Sequence, residues 1–544
     1  MNNSKQCLVL LALTLATCLL SACAHNAPTA TVDEASQDIC DRAARHSADC
    51  QGRYITPPLC NSPAALEAAE KILATACEDF NAEFFATGGA DGAYCDWFGT
   101  GCSLDEQIFT GAACVVDEEC SAESFCVEHR CFGGVLSEDF ARVLDIFTQT
   151  GEVAGGQTKL LVDNLETARL RRELIENARY WVHFTTLLVA DDESGAELVA
   201  LFSAAVERGV AVRVVIDATT QYAFANYALL EQMAQAGVQL IAHNPISEWA
   251  GVRLGTSGLT ANMRLHEKLL VVDGKDAIVG GRNIGDNYLG EDRWRDIDIH
   301  LQGPGVAQIQ YMFLSIWDKN VAWERESGCA SQLTHGFYCP PTGETLVDNP
   351  AFYPPLQRSS DNARTRAIYS DPFHQATAHG YFTTLALIRG ARHTITIANA
   401  YFVPPHRLRK HLRAAAARGV TVNVLTNSKN STDAWWMYYA SLNFYIEMLD
   451  AGINIHEYSG TETMHSKVML IDDELAVVGS FNLDPRSAID NSEMLLLIRD
   501  GDAVGQLRRS MEADIANATT VVGKDIAMSE LITAKAFRLV EPLL

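Results

Sequence analysis

The sequence predicts an α/β protein: two similar halves, each a mixed sheet flanked by helices, preceded by a small disulfide-rich module. Three observations predict it. Ten cysteines fall between Cys40 and Cys131. Beyond about residue 155, β-branched runs alternate with amphipathic stretches, the texture of a sheet covered by helices. One stretch also recurs: FSAAVERGVAVRVVID, Phe202 to Asp217, is matched by LRAAAARGVTVNVLTN, Leu412 to Asn427.

The N-terminus reads as a targeting segment. Lys5 precedes an apolar run from Cys7 to Leu20, the length of a secretory core and too short to span a bilayer. Leu20-Ser21-Ala22-Cys23 has the form of a bacterial lipobox, making Cys23 the expected lipidation site and residues 1–22 a signal peptide. Cleavage after Ala24 is the alternative, because Ala22-Cys23-Ala24 also fits a small-x-small site. With Ala24 next to the lipidated residue, the expected address is the bacterial cell envelope, at the outer membrane. Residues 23–39 are polar and small and read as a tether.

Residues 40–150 form the expected cysteine-rich module. After Cys23 twelve cysteines remain, an even number, with Cys329 and Cys339 forming a separate late pair. In an exported chain this pattern implies disulfides, whose connectivity the sequence leaves open. No Cys-x-x-Cys pair or accompanying His cluster supports a zinc site. A spacer and a partner-binding module are both open for it, and its protein partner is unidentified.

The two halves are expected at 151–345 and 346–544. Tyr180 to Leu188 and Val210 to Ile216 read as strands, with a helix from Ala196 to Glu207 between them. Each copy of the repeat carries a helix ending at Arg-Gly, where glycine can take the left-handed cap, followed by a β-branched strand. The proline-bearing stretch from Cys329 to about Arg366 reads as the linker.

A repeated fold invites a search for repeated chemistry. The first half contains His266-x-Lys268-x4-Asp273, then six residues, then Gly280-Gly281-Arg282-Asn283. The second contains His465-x-Lys467-x4-Asp472, the same gap, then Gly479-Ser480-Phe481-Asn482. His and Lys two apart on a strand share a face. The acids sit at the turn into the next strand, and the glycines leave room for a phosphate at the backbone. Asn283, Ser480 and Asn482 are expected phosphate donors. Two such motifs at one offset inside matching repeats exceed chance.

These residues resemble the phospholipase D superfamily, from about residue 155 to the end. The chain resembles cardiolipin synthases of the C type, on GGRNIGDNY (Gly280 to Tyr288), YFVPP (Tyr401 to Pro405), TNS with Thr432-Asp433, and GSFNLDPRS (Gly479 to Ser487) with Asn491-Ser492-Glu493. The resemblance implies both motifs around one phosphate, with catalytic His266, Lys268, Asp273, His465, Lys467 and Asp472. One neutral imidazole attacks phosphorus and the other, protonated, serves the leaving alcohol. It assigns His266 as nucleophile and His465 as acid/base, the reverse remaining open. Asp296 and Glu493 match the family's histidine-orienting acids, Asp298 being a rival to Asp296.

No cofactor and no metal are expected, since the lysines supply the positive charge. The expected partner is a phospholipid substrate at a membrane, by phosphatidyl transfer or hydrolysis. One alternative is a secreted nuclease of the same superfamily, and another is a surface lipoprotein whose cysteine-rich module binds a partner. The net charge of −26 argues against nucleic acid. Two elements are candidates for the substrate side: a helix opening at Thr432 to Tyr439, which is expected to show aromatic surface and reads either as acyl-chain contact or as core and domain contact, and a flap from Ser247 to Met263 bearing Trp249.

Overall fold

The repeated stretch folds as its pattern dictates. Its first helix, Glu193–Glu207, starts a turn earlier than the apolar spacing suggests, because the Asp192 side chain accepts the Gly195 N–H and caps it. It ends at Arg208, and Gly209 takes the left-handed conformation at φ +86°. Gly419 repeats this at φ +92° after the helix His406–Ala417. In this computed structural model the described residues are most of 124–537, the helix Pro63–Ala74 and a few residues at 39–46. Within 124–537, residues 128–129, 149, 226, 245–262, 292, 327, 341–344, 355–362, 373–377 and 524–525 lie outside the description. Cys23, most of the cysteine-rich module and nearly all of the expected flap therefore fall outside it.

The first strands, β1 (Ser124–Val127) and β2 (Arg130–Gly133), form an antiparallel hairpin. The first half then supplies β3 (Val153–Leu161), β4 (Trp181–Thr186), β5 (Ala211–Asp217), β6 (Gln239–His243), β7 (Leu269–Val272), β8 (Asp276–Gly280) and β9 (Asp298–Gln302). The second supplies β10 (Ala363–Ser370), β11 (Thr394–Asn399), β12 (Thr421–Asn427), β13 (Asn454–Tyr458), β14 (Lys467–Ile471), β15 (Leu475–Gly479), β16 (Glu493–Arg499) and β17 (Thr519–Thr520).

The spatial orders correspond. The first half runs β3-β9-β8-β7-β4-β5-β6, and the second β10-β16-β15-β14-β11-β12-β13, with β17 at its edge. An antiparallel pairing of β3 with β10 joins them into one sheet. In each half the last three strands are parallel and the rest antiparallel, so the sheet is mixed.

Each half buries an outer face under its own helices. Between the halves lies a shared core in which Leu269 and Val271 of β7 join Val468 and Leu470 of β14. The helix Val306–Glu326 contributes Phe313 and Trp317 to that core, and the helix Gly501–Ala516 contributes Leu507 and Met511. Burying each of these large side chains contributes roughly 1.5–3 kcal/mol, so the halves are held as one body. The stretch read as a linker is itself packed. A Cys329–Cys339 disulfide closes it, Phe337 is buried in the first half's outer core, and Tyr338 N–H donates to Leu240 O of β6 at 2.8 Å. Phe132 and Phe140, ahead of β3, pack into the second half's outer core.

Asp273 and Asp472, expected among the catalytic residues, have their carboxylates engaged by backbone N–H groups, which favours a structural role. Each follows the far end of its motif strand in the left-handed conformation, φ +52° and +54°. The Asp273 carboxylate accepts the N–H groups of Arg179, Tyr180 and Trp181, and that of Asp472 accepts those of Arg392, His393 and Thr394. Six residues of mostly extended chain, at about 3.3 Å per step, lie between each of them and its motif histidine. They pin the start of the neighbouring strand, β4 or β11. Replacing Asp472 by Ala is expected to cost about 2–4 kcal/mol, because three N–H donors lose a charged acceptor. Urea denaturation measures it; a loss below about 1 kcal/mol would contradict this role.

Candidate active site

The two motifs enter the fold at the carboxyl ends of the parallel strands, where open α/β sheets place their sites. Leu269 of β7 pairs with Thr185 at the end of β4, and Lys467 of β14 pairs with Asn399 at the end of β11. A polar residue closing each copy of the repeat holds the incoming chain. Asp217 Oδ2 accepts Leu265 N–H at 3.0 Å, and Asn427 Oδ1 accepts Met464 N–H at 2.9 Å. Arg264 neutralises Asp217 at 3.4 Å.

The halves then cross. Leu265 forms a parallel bridge with Ser492, and Arg295 forms one with Met464. His266 N–H donates to Ser492 O at 3.1 Å, and His465 N–H donates to Arg295 O at 2.6 Å. Each histidine thereby lies beside the acid of the opposite half. His266 Nδ1 is 2.9 Å from Glu493 Oε1, and His465 Nδ1 is 2.7 Å from Asp296 Oδ2. The spacing in sequence, each acid about thirty residues after its own half's histidine, does not reveal this exchange. Both acids are fully buried. With Nδ1 held by a carboxylate, Nε2 is the ring nitrogen left for chemistry.

Lys268 Nζ donates to His266 O at 2.5 Å, and Lys467 Nζ to His465 O at 2.6 Å. Each lysine acts electrostatically on both histidines, so the four residues form one site. Burial, and then the lysine charges, depress both histidines: His266 falls well below the usual range and His465 to about 3, so both are neutral at rest. Burial pulls Lys268 down to about 7 and Lys467 to about 8. The two acids differ. His465 and the charges of Lys467 and Arg282 outweigh desolvation and keep Asp296 below the ordinary carboxylate range. Desolvation wins at Glu493, which rises to about 7.

Several expected contacts are redistributed. A Cβ on Gly280 would meet Asp298 Oδ1 at 2.1 Å, and one on Gly281 would meet Asp296 Oδ1 at 2.5 Å. These glycines therefore make room for the acids' own strand rather than for a phosphate. Ser480, at the Gly281 position, spends its hydroxyl on Glu493 Oε2 and so steadies that acid instead of donating to phosphate. The Asn283 amide is engaged by Tyr288 and Thr186. Asn482 Oδ1 is buried without a partner. Asp298 holds Arg171 at 3.0 Å and lies 3.6 Å from Arg282, which removes it as a rival to Asp296.

The structure adds residues that motif reading missed. The rings of Tyr288 and Trp294 pack against His465, at centroid distances of 5.2 and 5.5 Å. Glu267, between the first motif's His and Lys, accepts from Ser492 Oγ at 2.5 Å. Tyr401 donates its hydroxyl to Asp433 at 2.8 Å, and Lys467 Nζ lies 6.0 Å from the Tyr401 ring centre. Of the aromatic helix start, Trp435 is 45% exposed while Met437 and Tyr438 are buried. No cluster of metal-ligating side chains occurs among the described residues.

The family described as cardiolipin synthase, PLD-like domain, matches residues 172–317 and 384–515, which include both histidines. The chain is 30% identical over 397 residues to cardiolipin synthase 2 of Bacillus cereus, covering 71% of each. It is also 30% identical over 397 residues to a cardiolipin synthase of a Geobacillus strain, covering 71% of this chain and 72% of that one. Among solved structures, phosphatidylserine synthase of Haemophilus influenzae aligns with a TM-score of 0.53 at 16% identity, over 71% of this chain and 95% of that one, a likeness of fold. A shared fold, two matched segments that carry the paired motifs, and relatives at this identity place the chain in the phospholipase D superfamily, as a member of the cardiolipin synthase PLD-like domain family.

Proposed function

We propose that the protein is a phosphatidyltransferase that exchanges the headgroup alcohol of a phospholipid through a phosphohistidine, in the manner of a cardiolipin synthase. The observation that carries this reading is the crossed pair of buried histidine–acid contacts with two lysines acting on both rings. Such a site has no use in a merely structural cleft, because burying six ionisable groups is costly.

His266 Nε2 attacks phosphorus, and the Lys268 and Lys467 ammonium groups neutralise the non-bridging oxygens. The leaving alcohol takes its proton from His465, which is charged while the anionic phosphodiester is bound. The incoming alcohol then returns a proton to His465 Nε2 as its oxygen displaces His266. The acids support this division of labour. Ionised Asp296 stabilises an imidazolium at His465, whereas the less acidic Glu493 leaves His266 the neutral ring a nucleophile needs.

The signal peptide, lipidation of Cys23 and an outer-membrane address belong to the same proposal, as does the division of the chain at 22/23, 39/40, 150/151 and 345/346. A lipid anchor would hold the site at its substrate's membrane. No described helix is long and apolar enough to cross a membrane.

Vesicles of phosphatidylglycerol and phosphatidylethanolamine, with EDTA present and products read by mass spectrometry, test the activity. Cardiolipin from wild type and from neither His266→Ala nor His465→Ala is the expected result, each variant losing at least about a thousandfold. Phosphatidic acid alone would make the protein a hydrolase. No lipid product would overturn the reading and turn attention to nucleic acid substrates. The pH profile gives a second test. A depressed lysine loses its charge as pH rises through its lowered value, so kcat/KM is expected to fall above about pH 8, far below an ordinary lysine's titration. A profile flat to pH 10 would contradict the shifts.

A further inference from the structure

We infer that Asp433, with Tyr401, forms the subsite for the hydroxyl groups of the acceptor alcohol, so that the protein selects a polyol headgroup over a simple alcohol. The inference rests on the phosphatidyl-transfer reading and deepens it.

The pair lies on the His465 side. Tyr401 follows β11 by two residues, and Asn399 at the end of that strand is paired with Lys467. The Lys467 ammonium sits 6.0 Å from the Tyr401 ring centre and is close enough to Asp433 for their charges to interact. Asp433 also acts on Tyr288, whose ring packs 5.2 Å from that of His465. The Tyr401 hydroxyl lies 2.8 and 3.0 Å from the two Asp433 oxygens, and the backbone N–H groups of Asp433 and Ala434 also donate to the carboxylate, whose four lone pairs exceed these three donors. Asp433 opens to solvent, unlike Asp296 and Glu493, although the protein around its carboxyl desolvates it enough to push its pKa above the ordinary value.

Neither histidine–acid pair uses this carboxylate, although its charge helps keep Lys467 protonated. It orients neither histidine, and a negative charge beside Lys467 weakens the pull on a phosphodiester. An exposed acceptor there is suited to hydroxyl donors instead.

The two halves differ at this point. The parallel bridge of Val189 with Ile284 corresponds to that of Phe402 with Leu483, which places Leu188 opposite Tyr401. Leu188 has no hydroxyl to hold an acid, and the helix Ala218–Phe224 begins directly after β5, where the second half has a loop reaching Asp433. The asymmetry matches the chemistry. With His266 as the nucleophile, in-line displacement brings the acceptor from the His465 side. The acceptor O–P bond forms, the Nε2–P bond to His266 breaks, and the acceptor proton passes to His465. The remaining hydroxyls of a glycerol moiety then reach Asp433 and Tyr401.

The test is a competition. The full-length protein meets phosphatidylglycerol vesicles with deuterated glycerol, 1-propanol and ethanolamine together, and the labelled phosphatidyl products are measured as ratios. Ratios do not depend on how much of a variant is folded. Wild type is expected to favour glycerol over 1-propanol, and Asp433→Asn and Tyr401→Phe to lower that preference, Asp433→Ala by about tenfold. Equal use of glycerol and 1-propanol by wild type would overturn the inference, as would variants with the wild-type ratio, the result of a purely structural role. Preference for ethanolamine above glycerol, lost in Asp433→Asn, would replace the polyol with a cationic headgroup and overturn it too. Absence of every transfer product and of phosphatidic acid from wild type would instead defeat the underlying phosphatidyl-transfer reading.

Discussion

Two short parallel bridges, Leu265 to Ser492 and Arg295 to Met464, carry the geometry on which the site depends. Each sets a motif histidine beside the acid that follows the partner residue, so neither half holds a complete histidine–acid pair of its own. Supporting contacts converge on the same two points. Arg295 is tied to Ser510 and Asp514 of the helix Gly501–Ala516, and Ser492 to Glu267. Bridge geometry is set by backbone hydrogen bonds, which tolerate little displacement. The orientation of both imidazoles is therefore fixed by the packing of one half on the other, through the core shared by β7 and β14.

The electrostatics follow from that burial. Desolvation dominates at nearly every ionisable group in the cleft: it neutralises both histidines, weakens both lysines and raises Glu493. Asp296 escapes because His465, Lys467 and Arg282 all hold it charged. The halves thus share a topology and differ in the charge state of their acids, a difference that in the proposed mechanism suits one imidazole to nucleophilic attack and the other to carrying a proton. Glu267 extends the contrast. Burial raises it to about 8, while Ser466 at the matching position is neutral.

Much of this was legible in the residues. The matched stretches ending at Asp217 and Asn427 announced two like units, and the spacing of His266, Lys268, His465 and Lys467 announced chemistry used twice. The strand limits differed by a residue or two, and the helix expected from Ala196 began at Glu193, since a cap such as Asp192 acts outside the apolar pattern. What spacing did not show was distance in space. Asp273 and Asp472 recur as faithfully as the histidines, yet they terminate a strand, because a turn that recurs needs its acceptor as regularly as a site needs its base. Gly281 and Ser480 looked like a phosphate cradle and are clearance and support for an acid that arrives from a distant strand. The exchange of acids was invisible for the same reason, while the polar residue closing each repeat was a signal open to reading.

The account is tested most directly in a His465→Ala background with a phosphatidyl ester of p-nitrophenol, a leaving group that needs no acid. Release of roughly one equivalent of p-nitrophenol per chain, with the phosphatidyl group mapped to His266, is the predicted result. Adding Glu493→Gln is predicted to slow that burst far more than adding Asp296→Asn. A burst governed by Asp296, or an adduct on any residue other than His266, would contradict the crossed pairing and the roles drawn from it.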